Sequence, residues 1–109
     1  LTRESSRVRN ATPHSALSAD ENEVMALRRK TAAALFAKIE KPNEVSAANL
    51  QALAEVISYA NEGKYADSFK KCLDAYRAKA DKKGDDVKAV NGALDVLRRN
   101  RVVDVEPVK

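Results

Sequence analysis

The side chains able to do chemistry are few and scattered. His14 is the single histidine, beside Pro13, and no cysteine lies near it in sequence. A metal site gathers several such ligands, and a general base needs a group that orients it, so His14 reads as a solvated residue. Cys72 is the single cysteine. Lys70 and Lys71 precede it and would favour a thiolate if they faced the sulfur, but Cys72 falls on the apolar side of its segment and reads as a packed thiol. Asp85 and Asp86 are consecutive. On a helix such neighbours point about 100° apart and cannot share a proton as catalytic carboxylate pairs do, so they read as the opening of a helix. Gly63, Gly84 and Gly92 stand alone and form no phosphate-cradling loop. The expectation is a protein that is not an enzyme, with no catalytic, cofactor-binding or metal-ligating residues.

The basic residues offer a different chemistry. They cluster as "LRRK" at Leu27 to Lys30, "FKKC" at Phe69 to Cys72, "DKKG" at Asp81 to Gly84 and "LRRNR" at Leu97 to Arg101. Arg98, Arg99 and Arg101, converging with Arg7 and Arg9 on one face, would neutralise several phosphates in a salt-dependent way. Against this, acidic residues punctuate nearly every cluster, and no aromatic-rich basic stretch supplies stacking platforms for single strands. Lys and Arg number 20 against 16 Asp and Glu, a net charge of +4. This excess permits an acidic partner without requiring one.

A lone cysteine makes no internal disulfide, which suits an intracellular, reducing compartment. Arg3, Arg7 and Arg9 among serines suit the neighbourhood of a removed organelle-targeting segment, and hence a mitochondrial or other organelle interior. The start at Leu1 carries the matching expectation that the numbering begins inside a longer product. No apolar run approaches the roughly 18 to 20 residues of a membrane span.

The elements that position these residues are helical. A chain of 109 residues with 44% hydrophobic and 33% charged residues predicts one domain with one core. With no Trp and only 2 Phe, that core must be built of Ala, Leu and Val at close helix approach. Residues 1–17 are polar, basic and without period, and predict an extended arm. Ser18 and Glu21 have capping-box spacing and predict a first helix from Ala19 to Glu40, with Val24, Leu27, Thr31, Leu35 and Ile39 on one face and Met25, Ala32 and Phe36 on its flank. Lys41-Pro42-Asn43 stops it.

Ser46 caps a second predicted helix, Ala47 to Asn61, with Leu50, Leu53, Ala54 and Ile57 at helical spacing. Gly63 suits the left-handed conformation that ends helices. A third helix, Tyr65 to Ala80, carries Phe69, Cys72, Leu73 and Tyr76. A fourth opens at Asp85 or Asp86 and bears Val87, Val90, Leu94 and Leu97, with Arg98, Arg99 and Arg101 where the helix dipole favours base. The expected core is Leu50, Leu53, Ile57, Phe69, Leu73, Tyr76, Leu94 and Leu97. The fold class is all-α: a four- to five-helix bundle of antiparallel hairpins over residues 18–101, with extended N- and C-terminal arms, the latter being the β-prone residues 102–109.

The middle of the chain resembles a known family. Lys30, Leu35, Lys38 and Ile39, then Val45-Ser46, then Leu50, Leu53 and Ile57, then Lys64-Tyr65-Ala66-Asp67-Ser68, and finally Leu73 follow the pattern of a helical domain. That domain is shared by the steroid receptor RNA activator protein and the C-terminus of the large outer-coat subunit of COPII vesicles. The resemblance covers about residues 24 to 101, with the fourth helix matching by apolar spacing alone. The chain departs from the family at Lys71-Cys72, where a histidine is common. What the resemblance implies is a small helical module that acts through its surfaces, with no catalytic residue to carry over.

Two functions follow as expectations. The first is a non-enzymatic interaction module, an accessory or structural subunit docking with other protein subunits of a larger assembly through its arms, at Val8, Val102, Val103 and Val105. The alternative is an RNA-contacting subunit of a ribonucleoprotein such as an organelle ribosome, with Arg7, Arg9, Arg98, Arg99 and Arg101 as phosphate contacts. Vesicle-coat work is disfavoured, because nothing in the chain resembles the remainder of a coat protein.

Overall fold

A computed structural model of the chain describes residues 13–109, with side chains from residue 21 onward. Among the described residues the protein is all-α, with helices α1 (Pro13–Ala37), α2 (Ala47–Tyr59), α3 (Gly63–Ala78) and α4 (Gly84–Arg99) and no strand. None of these helices is long and apolar enough to cross a membrane.

Helix α1 is already formed at Pro13, which corrects the expected start. Ser18 and Glu21 lie inside the helix, so their spacing does not mark its start, and residues 13–17 are helical and not an extended arm. Proline is tolerated in the first turn, where its fixed φ suits the helix and its missing N–H has no partner to lose. The helix ends at Ala37. Lys38 and Ile39 then donate to the carbonyls of Leu35 and Phe36, each at 3.1 Å, the tighter i→i−3 bonding of a closing turn.

The starts of the later helices have visible causes. Ser46 Oγ accepts from the Asn49 amide at 3.1 Å, the expected N-cap. The Asn49 side chain donates back to the carbonyls of Lys41 and Glu44, fixing the loop that leads into α2. Gly63 has φ +57°, the left-handed conformation that favours glycine. It turns the chain so sharply that α3 starts there, before Tyr65. Helix α4 has Asp85 and Asp86 in its first turn and Arg98 and Arg99 in its last, complementing its dipole at both ends.

The end of α4 is a Schellman turn. Val102 N donates to Leu97 O at 2.9 Å and Arg101 N to Arg98 O at 3.1 Å, with Arg101 at φ 58°. This pairing satisfies the last carbonyls and reverses the chain toward α3.

Helix α2 packs against each of the other three. One of its faces meets α3 and α4 in the main core, where Leu50, Leu53, Ile57, Phe69, Leu73, Tyr76, Leu94 and Leu97 are all buried with Cys72, Val90 and Val108. Every core residue expected from spacing is there. Fully burying each large side chain contributes about 1.5 to 3 kcal/mol. The other face of α2 meets α1 in a smaller cluster of Ala32, Val56 and Ala60.

The inner face of α1 also differs from expectation. Ala32 is completely buried, whereas Val24 and Leu27 are exposed. Partly buried Leu35, Phe36 and Ile39 complete the contact. At about 100° per residue, Leu27 lies about 140° around the helix from Ala32. Small Ala32 lets the two helices approach closely, which turns Leu27 outward.

Residues 102–109 are extended but do not form a free arm. Val102, Val103 and Val105 pack on the main core and Val108 is buried within it. Four side-chain contacts hold the segment: Asn61 Nδ2 donates to Val102 O at 2.9 Å, Arg77 to Glu106 O, and Asn91 both donates to Val108 O at 2.9 Å and accepts from Val108 N at 2.7 Å. Val102, Val103 and Val105, expected to serve neighbouring subunits, are thus partly buried against the chain's own core. The apolar groove beside α3 and α4 is filled by the chain's own valines.

Candidate docking surface

The basic cluster "LRRK" has a structural use. Arg28 donates from Nε to Tyr59 O at 3.2 Å and from Nη2 to Ser58 O, and its guanidinium lies 5.5 Å from the centre of the Tyr59 ring. Those carbonyls belong to the last turn of α2, which lacks intrahelical donors and carries the negative end of the dipole. Arg29 pairs with Glu62 at 3.0 Å. Phe36 stacks at a tilt on Tyr65, with centroids 5.1 Å apart. Arg28 is thus what joins α1 to the far end of α2.

Because Arg28 stands opposite the end of α2, the part of α1 before it runs past its neighbour. There Val24, Met25 and Leu27 are 54%, 44% and 63% exposed. Glu21, Glu23 and Lys30 are exposed around them, and Ala34 continues the outward side. These apolar side chains stand on one stretch of helix and are left open to solvent by the described residues. They were legible in the sequence as apolar residues, but periodicity pointed them inward.

The other expected sites are distributed. Val8, Arg7 and Arg9 lie outside the described residues, as does the side chain of His14. Arg98, Arg99 and Arg101 are exposed at the end of α4. Arg99 is paired with Asp95 at 3.0 Å, and Arg101 sits in the Schellman turn. No group of three or more His, Cys, Asp or Glu is placed to hold a metal ion among the described residues.

Cys72 is buried, with Sγ 3.7 Å from Glu44 O. Burial pushes its thiol above the ordinary value, and a backbone hydrogen bond from Ser46 opposes this more weakly. A thiol held protonated is a poor nucleophile. The Tyr76 hydroxyl is also pushed up, first by burial and then by the charge of Asp86.

Sequence reasoning missed the polar anchors Arg28, Asn61, Arg77 and Asn91. Each grips backbone distant in sequence, and no local spacing announces such a contact.

No family model matches this chain, and neither does any curated protein or solved structure.

Proposed function

We propose that the protein is a non-enzymatic helical interaction module, an accessory or structural subunit of a larger protein assembly, and that the exposed stretch of α1 before Arg28 is its docking element. The observation that carries this reading is the exposure of Val24, Met25 and Leu27 on a helix extended past its neighbour. Water-exposed apolar area of this kind is stabilised by about 25 cal/mol per Å² when a partner covers it. The reading includes antiparallel hairpins. Arg28 reaching Tyr59 supports one between α1 and α2, and Cys72 reaching Glu44 supports one between α2 and α3. The resemblance to the helical domain of the steroid receptor RNA activator protein and the COPII outer-coat subunit is part of the same proposal, since that family implies surfaces and not catalysis.

The test is affinity purification of the tagged protein at low and high salt, with and without ribonuclease, beside a Leu27→Glu variant. Partners that survive ribonuclease and high salt but are lost with Leu27→Glu support the reading. Partners lost to ribonuclease and kept by Leu27→Glu replace it with RNA contact, and Arg98 and Arg101 are then the residues to test.

A further inference from the structure

We infer that the partner of this exposed stretch of α1 is a second copy of the same helix, laid antiparallel. The inference rests on the reading of α1 as the docking element and names what it docks. Val24 and Leu27 are three residues apart, the spacing of adjacent seam positions in a two-helix coiled coil. Thr31 and exposed Ala34 continue that seam toward the C-terminus.

The charges beside the seam are self-complementary. Glu23 and Lys30 flank it on one side, seven residues apart, and both are exposed. In an antiparallel pair with Val24 of one copy opposite Leu27 of the other, Glu23 of each copy falls beside Lys30 of its mate, and the contact occurs on both sides of the two-fold axis. A parallel pair would instead match Glu23 to Arg28 alone, and Arg28 already donates to Ser58 and Tyr59. Lys30 makes no ion pair among the described residues, so the antiparallel arrangement gives that cation a partner.

Ala32 and Phe36 turn toward α2 and α3, while Leu27, Ala34 and Lys38 lie on the other side and are exposed. Antiparallel pairing sends the two bundles to opposite ends of the joined helices. Each extended helix end then lies along the α1 of the other copy.

Sedimentation equilibrium of the full chain at about 100 µM, a concentration suited to a small interface, tests the inference. The wild type is expected to show twice the monomer mass. Glu23→Lys or Lys30→Glu alone turns two attractions into two repulsions and is expected to weaken association about tenfold. The double swap restores it to within about threefold, an outcome specific to the antiparallel register. Leu27→Glu is expected to be monomeric, with its melting temperature at low concentration unchanged. A monomeric wild type overturns the inference, and so does a dimer indifferent to both charge reversals. If the chain is monomeric but Leu27→Glu still abolishes capture of other proteins, self-pairing falls and the docking reading stands. If Leu27→Glu changes neither, both fall.

Discussion

Asn91 of α4 and Val108 are joined by two hydrogen bonds, the side-chain amide donating to Val108 O at 2.9 Å and accepting from Val108 N at 2.7 Å. The amide acts on the extended segment as a neighbouring strand would, satisfying both backbone groups of a residue whose side chain is buried. Asn91→Ala is expected to cost about 1 to 2 kcal/mol and Asn91→Asp to cost a similar amount, because aspartate cannot donate to Val108 O. Urea denaturation measures both. Wild-type midpoints would show that the segment is held by its valines alone.

Arg101 occupies a left-handed conformation, φ 58°, that strains any residue with a Cβ. Arg101→Gly is expected to stabilise the protein by about 0.5 to 1 kcal/mol, the relief of strain outweighing the greater freedom of glycine in the unfolded chain. Arg101→Val should do the reverse. Thermal melts of the two variants check the sign, and a destabilised glycine variant would count against the turn.

Arg28 caps α2 from another helix. Arg28→Ala is expected to lose about 1 to 2 kcal/mol, since two carbonyls lose a charged donor and Tyr59 loses its stacked guanidinium. A lysine in its place keeps the charge but cannot reach two carbonyls from one planar group, so Arg28→Lys should recover less than half. Denaturant midpoints order the three proteins.

The buried thiol and phenol predict alkaline weakness. Cys72 is raised from 9.0 and Tyr76 from 10.0, so the native state holds both protons more tightly than the unfolded chain does. Their contribution is complete below about pH 9 and is lost as pH climbs through the raised values. Stability measured from about pH 8 to 11 should fall, and Cys72→Ala should flatten the earlier part of the fall and Tyr76→Phe the later. The Tyr76 hydroxyl is buried with no hydrogen-bond partner among the described residues, so Tyr76→Phe should leave neutral-pH stability unchanged or raise it by up to about 1 kcal/mol. Equal pH slopes in all three proteins would assign the loss elsewhere.

The main core was legible because its signal is local. Leu50, Leu53 and Ile57 repeat at helical spacing, as do Phe69, Leu73 and Tyr76, and each set is broad enough to fix which side turns inward. Ser46 was legible for the same reason, since capping depends on the residue itself, whereas Gly63 takes its expected left-handed conformation but opens α3 and does not end α2, which stops at Tyr59. Helix α1 was not, because two apolar stripes compete on it. The choice of the side with Ala32 over the side with Leu27 depends on how closely α2 can approach and on where Arg28 finds carbonyls, which are tertiary facts. The valines after Arg101 read as a free arm because their partner groove is assembled from α3 and α4. For the same reason the exposed apolar stretch of α1 could be found only after the core had claimed its residues.

The division of α2 between two separate clusters gives the molecule two levels of cohesion. Leu50, Leu53 and Ile57 bind α2 into one unit with α3, α4 and the closing valines, whereas α1 rests on the smaller cluster of Ala32, Val56 and Ala60, on Phe36 at the edge of the main core, and on the arginine contacts. The first helix is therefore expected to open before the remainder, at a lower free-energy cost than global denaturation. Amide protons along α1 would then exchange with solvent through that opening, and those of α2 facing the main core only when the whole chain comes apart.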